Sequence, residues 1–124
     1  MLSLVFVFAT LTNGSTPAGA ADVAKIDFAR AILPILSDKC FVCHGPDAAE
    51  HGDDMLRLDS FEGATSDRAG NKAINPADVD SSWLLHRIHS VDEPMPPADA
   101  ERQLTKQERD LLTEWVKQGG AYAR

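Results

Sequence analysis

The sequence predicts an all-α domain in which a few short helices are joined by one long irregular loop. Apolar side chains recur at helical spacing near both ends of the chain, over residues 26–36 and 106–118. Between them, residues 45–79 are rich in Asp, Gly, Ala and Ser, a composition typical of loop. The chain has 124 residues, of which 44% are hydrophobic and 25% are charged, and these values fit one soluble globular domain.

The first twenty residues are predicted to be a secretory signal peptide. They carry no charged side chain, begin with an apolar stretch, and end in Ala18-Gly19-Ala20, which has the small-residue pattern of a cleavage site. Cleavage there leaves an exported domain over residues 21–124, with no stable membrane span. The alternative is an uncleaved membrane anchor, although the apolar run is only about half of the ~20 residues that span a bilayer.

The first predicted helix of the domain spans Ile26 to Leu36, because Phe28 and Ile32 lie four residues apart and form one apolar stripe. Pro34 falls late in this run and is expected to kink the helix or divide it, since proline lacks a backbone donor. Residues 37–44 are predicted to form one further helical turn, ended by the Gly-Pro pair that follows.

The middle of the chain is predicted to be mostly loop. Within residues 45–79, an alternating segment at 56–59 is expected to be briefly extended, and residues 61–64 to form a helical turn. N-capping residues favour a short helix from 82 to about 89. Residues 92–97 contain three prolines and are predicted to form a stiff, extended loop.

The last predicted helix runs from Lys106 to Gln118. Thr105 and Glu108 form the capping-box pattern that marks a helix start. Gly119 is expected to close the helix in a left-handed conformation. The apolar face of this helix consists of Leu111, Leu112, Trp115 and Val116.

The two cysteines of the chain form the motif Cys40-Phe41-Val42-Cys43-His44, the C-x-x-C-H pattern of covalent haem attachment. Residues three apart lie on one side of a helical turn, so two thiols at this spacing can add to neighbouring vinyl groups of one porphyrin. The next residue then places an imidazole near the iron. The other ring nitrogen is expected to donate to a backbone carbonyl, which fixes the tautomer.

Two other sites could use the same residues. A disulfide-exchange dithiol normally follows a strand in a βαβ unit, and no such pattern surrounds Cys40. A zinc site needs further ligands, and His51, His86 and His89 do not lie at a common ligand spacing. We expect His51 to lie in solvent.

Met95 is the predicted second iron ligand. It lies 51 residues after His44, between prolines that stiffen its approach, whereas Met55 lies in the loop close to the attachment motif. A thioether ligand raises the reduction potential of a haem iron. The alternatives are that Met95 only covers apolar surface, or that His86 or His89 binds the iron instead.

Three further residues are candidates for the surroundings of the haem. Arg87 could pair with a haem propionate, or it could be a solvated surface arginine. Trp83 and Trp115 are both expected to pack in the core.

Net charge restricts the class of partner. The formal net charge of −7 argues against nucleic acid or an anionic membrane surface as the main partner, and it permits a basic protein.

Several short segments occur together in one order along the chain. They are 32–36, the haem motif with Gly45-Pro46, 56–59, Ser82 with Leu84, Arg87 and Ile88, 95–97, Leu104-Thr105, Trp115 and Gly120-Ala121. In this combination they resemble the planctomycete-type cytochrome c domain, a relative of class I cytochromes c, over about residues 26–121. The resemblance implies that Cys40 and Cys43 are thioether sites, that His44 is the proximal ligand and that Met95 is the distal ligand of one haem c. It also implies a class I cytochrome c-like fold, in which the N- and C-terminal helices cross beside the haem. Relatives often carry the domain within longer polypeptides.

The resulting hypothesis is an exported or periplasmic electron carrier rather than an enzyme, with one or more redox proteins as partners. With His44 and Met95 both bound, no iron position is open to oxygen or peroxide. The competing hypothesis is a haem-based sensor or haem enzyme module, whose sixth position is open or bound by histidine.

Overall fold

The computed structural model describes residues 24–123, and within them the fold is helical with no strand. The nearest approach to extended pairing is one isolated bridge between Arg68 and Asn71. The prediction of an all-α domain is therefore confirmed at the level of class. The five α-helices are α1 (Leu33–Lys39), α2 (Phe41–His44), α3 (Phe61–Thr65), α4 (Trp83–Ile88) and α5 (Lys106–Lys117).

The N-terminal helix begins as one π-helical segment and continues as α1. The π segment, Phe28–Ile32, is capped by the Asp27 carboxylate, which accepts from the Arg30 N–H, and the Leu33 N–H donates to the Phe28 carbonyl. A proline ring crowds the carbonyl four residues earlier, and the wider turn just ahead of Pro34 relieves that crowding. The predicted division therefore occurs as a change of helix type before Pro34.

Helix α5 starts at the predicted capping box. The Thr105 hydroxyl accepts from the Glu108 N–H at 3.1 Å, and the Thr105 N–H donates to the Glu108 carboxylate at 2.8 Å. The helix ends one residue earlier than predicted, and Gly119 follows with a φ of +105°. Buried side chains on its inner face are Leu112, Trp115 and Val116.

The two ends of the described chain pack against each other. The Phe28 ring lies 5.7 Å from the Trp115 ring and 4.6 Å from the Tyr122 ring, measured between centroids. The Ile26 N–H donates to the Gln118 side-chain oxygen at 2.8 Å. The apolar stripes predicted near each end thus meet in one core.

Only one of the two tryptophans is in the core. Trp115 is 2% exposed, whereas Trp83 is 41% exposed, so the prediction that Trp83 packs in the core is wrong. Helix α4 buries Leu84 and Ile88, which are four residues apart. Trp83 therefore shares a different face with Arg87, whose guanidinium lies 5.6 Å from the centre of the indole ring.

The segment between α2 and α4 is mostly irregular, as predicted. Helix α3 lies where a helical turn was expected, and α4 matches the predicted helix within one residue at each end. Two 3₁₀ turns, Ala48–His51 and Val79–Ser81, were not predicted. Residues 92–97 contain neither helix nor strand.

Within residues 24–123, no helix is both long and apolar enough to cross a bilayer. The predicted signal peptide, residues 1–20, lies outside the described residues.

Candidate functional site

One cleft of about 370 Å³ is lined by all five residues that the sequence singles out for haem binding. Four separate stretches of chain contribute to it: the end of α1 with α2, the loop after α2, helix α4, and the loop that follows α4. The predicted residues in its lining are Cys40, Cys43, His44, Arg87 and Met95. Its apolar walls include Leu56, Leu58, Leu84, Ile88, Pro96 and Pro97.

The cysteine motif lies on the break between two helices. The Cys40 N–H closes α1 by donating to the Leu36 carbonyl at 2.9 Å. The Cys40 carbonyl then accepts from the N–H groups of Cys43 (3.2 Å) and His44 (2.8 Å). This tight turn brings both sulfur atoms and the imidazole to the same cleft.

His44 is held by one short segment of the following loop. Its ring Nδ1 lies 2.9 Å from the Leu56 carbonyl oxygen, and the Leu58 N–H donates to the His44 carbonyl at 2.7 Å. A carbonyl can only accept, so Nδ1 carries the proton in this bond, and in the neutral ring the lone pair is on Nε2. The imidazole is thus arranged as a metal ligand through Nε2.

The Cys40 thiol is poorly suited to disulfide exchange. Burial, with a smaller contribution from Glu108, raises the pKa of the Cys40 thiol to about 12. Exchange requires a thiolate, and a raised pKa keeps the thiol protonated at neutral pH. Both cysteines are unbridged.

A structural zinc site needs several such ligands close together. In the part of the chain that the structure describes, no three His, Cys, Asp or Glu side chains group closely enough to hold a metal ion. His51 is exposed, as expected.

Met95 reaches the cleft from the loop after α4. Its backbone N–H donates to the Arg87 carbonyl at 3.0 Å, which anchors the loop to the end of the helix. Its side chain lines the cleft and remains 36% exposed. Met55 also lines this cleft, and His89 lines a neighbouring cleft together with Met95.

Arg87 lies at the cleft but already has a partner. Its guanidinium donates to the Glu93 carboxylate at 2.9 Å and to the Glu93 carbonyl at 3.3 Å. Glu93 was not singled out from the sequence. The six-residue interval between the two residues follows no helical or strand spacing, so only the fold of the loop brings them together.

The rim of the cleft is charged. Asp38, Lys39 and Arg102 line it, and Asp38 contacts both basic side chains. A hydrogen bond from Lys39, reinforced by Arg102, holds the pKa of the Asp38 carboxyl below its usual range.

The donor set and the walls of the cleft fit a covalently attached haem. Two thiols, one imidazole with a free Nε2 and one thioether converge on a largely apolar space.

Comparisons with known proteins agree with this fit. Residues 40–99 match the family model described as Planctomycete cytochrome C, and this range contains all five predicted site residues. Neither the curated proteins nor the solved structures contain a match to the chain.

Proposed function

We propose that the chain is an exported mono-haem cytochrome that transfers single electrons, because residues 40–99 match the Planctomycete cytochrome C family model. The convergence of Cys40, Cys43, His44 and Met95 on one cleft carries this proposal. Export is part of it, because covalent haem attachment and the predicted signal peptide both point to an extracytoplasmic compartment.

Each residue has a distinct role. Cys40 and Cys43 would form the two thioether bonds, His44 would bind the iron through Nε2, and Met95 would bind it through its sulfur. When bound, the haem supplies an iron that alternates between the ferrous and ferric states. Arg87 lies at the cleft with its charge available to a propionate, in competition with Glu93.

The role of the surrounding protein is to fix the positions of the two iron ligands, His44 and Met95. The Leu56 carbonyl fixes the orientation and tautomer of the His44 ring. The backbone bond between Met95 and Arg87 ties the loop carrying the thioether to α4. Small movement between oxidation states favours fast electron transfer, and this arrangement limits the movement of both ligands.

Haem content is the decisive test. We expect protein made together with a haem-attachment system to give a pyridine haemochrome spectrum with about one haem per chain. Cys40→Ser and Cys43→Ser should each lose one thioether bond, which shifts that spectrum. His51→Gln, which changes an exposed histidine, should retain full haem content. A colourless wild-type protein sinks the proposal.

Ligation by Met95 needs its own test, because it separates an electron carrier from a sensor or enzyme module. We expect Met95→Ala to lower the reduction potential, abolish the thioether-to-iron charge-transfer band and allow carbon monoxide to bind the reduced protein. Met55→Ala is the matched control, since Met55 lines the same cleft. If the band is lost in Met55→Ala and kept in Met95→Ala, the iron ligand is Met55 and not Met95.

The export step is tested on the secreted protein. Cleavage after Ala20 predicts a mature N-terminus at Ala21. A retained, membrane-associated N-terminus would favour the anchor instead.

A further inference from the structure

Tyr122 lies outside the matched range and outside the lining of the cleft, yet it contacts the segment that holds His44. Its hydroxyl donates to the Leu58 carbonyl at 2.7 Å, across 64 residues of sequence. The ring packs against Phe28 and, in a T-shaped contact at 5.4 Å between centroids, against Trp115. Tyr122 therefore joins the core at the chain ends to the loop after α2.

The residues Leu56 to Leu58, here called the histidine clamp, receive three polar contacts in succession. The Leu56 carbonyl accepts from the His44 ring, and the Leu58 N–H donates to the His44 backbone. The Leu58 carbonyl, on the same residue, accepts from Tyr122. Displacing Leu58 would thus disturb both contacts that the clamp makes with His44.

The tyrosine itself is held in a fixed place. The Trp115 indole N–H donates to the Ala121 carbonyl at 2.9 Å, next to Tyr122 in the chain. Gly120 has a φ of +61°, and a Cβ there would lie 2.7 Å from the Ile74 side chain. The chain after α5 is therefore packed closely, and the bond from Trp115 to Ala121 helps to place Tyr122 beside Leu58.

We infer that Tyr122 is a positioning residue, which holds the histidine clamp against His44 and thereby sets how strongly the imidazole donates electrons to the iron. This inference rests on the proposed function. A hydrogen bond from Nδ1–H to a carbonyl increases the electron donation of a histidine ligand and favours the ferric state. Leu58 is 3% exposed, so without the hydroxyl its carbonyl has little access to water.

The test is Tyr122→Phe in the haem-loaded full chain, which removes only the hydroxyl. We expect the reduction potential to become more positive, and the His44 Nδ1–H to exchange with solvent about fivefold faster or more. Ser82→Ala is the matched control. It removes a fully buried hydroxyl that accepts from the Asn75 N–H at 2.9 Å and makes no contact with the clamp. It should reduce stability without changing either quantity.

A second variant protects the test if Tyr122→Phe folds poorly. Tyr122 is the only tyrosine of the chain, so growth on 3-fluorotyrosine modifies this hydroxyl alone. The fluorinated phenol is a stronger hydrogen-bond donor, and we expect the potential to shift in the opposite direction.

The outcomes separate the two hypotheses. Wild-type protein without haem overturns the proposed function. Wild-type protein with haem, but with the same potential and the same Nδ1–H exchange in Tyr122→Phe, overturns only the role of Tyr122. Equal shifts in Tyr122→Phe and Ser82→Ala also overturn it, because the effect would then follow general destabilisation.

Discussion

His44 is held at its ring and at its backbone by two residues of the same short loop segment. A metal-binding histidine usually has such an outer partner, and here the partner is a backbone carbonyl, which no side-chain substitution at Leu56 removes. Variation in the strength of this bond must therefore come through movement of the segment. This is why distant contacts to Leu58 matter for the iron.

Arg87 gives the first prediction at the scale of single residues. We expect Arg87→Gln to lower the reduction potential by roughly 20–40 mV, equivalent to about 0.5–1 kcal/mol, because a positive charge near the iron favours the ferrous state. Arg30→Gln is the control, since the Arg30 side chain is 89% exposed and does not line the cleft. Spectroelectrochemical titration measures both. Equal shifts in the two variants would contradict a role for Arg87 at the haem.

Cys40 gives a prediction about pH. Burial raises the pKa of its thiol to about 12, from an ordinary value of 9.0, and also raises the pKa of Tyr122. Above pH 9 the folded haem-free chain binds more protons than the unfolded chain, so its stability must fall as pH rises toward 12. Urea unfolding at several pH values measures this fall.

Two comparisons identify the thiol as the source. Cys40→Ala should make the decline with pH shallower, and haem attachment should do the same because a thioether does not titrate. Cys43→Ala is the matched control. The interpretation is wrong if stability is flat above pH 9, or if Cys43→Ala removes the decline as fully as Cys40→Ala does.

At the scale of elements, α5 supports the fold without entering the cleft. No residue of α5 is in the lining, and the helix instead packs through Trp115 against the N-terminal segment. Changes at the N-terminal end of this helix, away from the Trp115 contact with Tyr122, should therefore affect stability and leave the potential of the iron unchanged.

Substitution in the capping box tests whether stability can change without a change in reduction potential. Thr105→Ala should lower the free energy of unfolding by about 1 kcal/mol, because the N–H of Glu108 loses its acceptor. Lys106→Ala is the control. It removes an exposed pair with Asp110 and should cost less than about 0.5 kcal/mol. Urea midpoints measure both, and a shifted potential in Thr105→Ala would show that α5 is coupled to the iron.

The elements also show how far the sequence predicts this fold. Helical spacing and the capping box were enough to predict where α5 lies, because both signals come from residues within about one turn of each other. The attachment motif was predictable for the same reason. The exposure of Trp83 was not, since an aromatic residue at the start of a short helix can face either way until its neighbours are placed.

The contacts across the site could be predicted only in part. The sequence predicted that the His44 ring would donate to a backbone carbonyl, and the structure confirms this. Every residue has such a carbonyl, so no letter of the sequence marks that of Leu56. Tyr122 reaches Leu58 across 64 residues, and no periodic pattern links the two. The histidine clamp depends on the fold, because it forms where the loop after α2 lies beside the residues that follow α5.

At the scale of the whole molecule, net charge should govern electron exchange with small reagents. The chain carries −7, and residues 1–20 contribute no side-chain charge, so the exported domain keeps this value. Oxidation by an anionic complex such as ferricyanide should accelerate with added salt, and oxidation by a cationic cobalt complex should slow. Stopped-flow rates at several ionic strengths measure this. Identical salt dependence for both reagents would show that local charge at the exposed haem edge dominates.

The bond between Tyr122 and Leu58 has a consequence for the order of events during the proposed export. The chain is exported from its N-terminal side, so the attachment motif and the histidine clamp reach the extracytoplasmic compartment before Tyr122. A haem can therefore be joined there to a partly exported chain while His44 is held only by its near neighbours in sequence. The bond from Tyr122 to Leu58 forms last. The histidine clamp is therefore easier to displace while the haem is being attached than it is in the complete, folded protein.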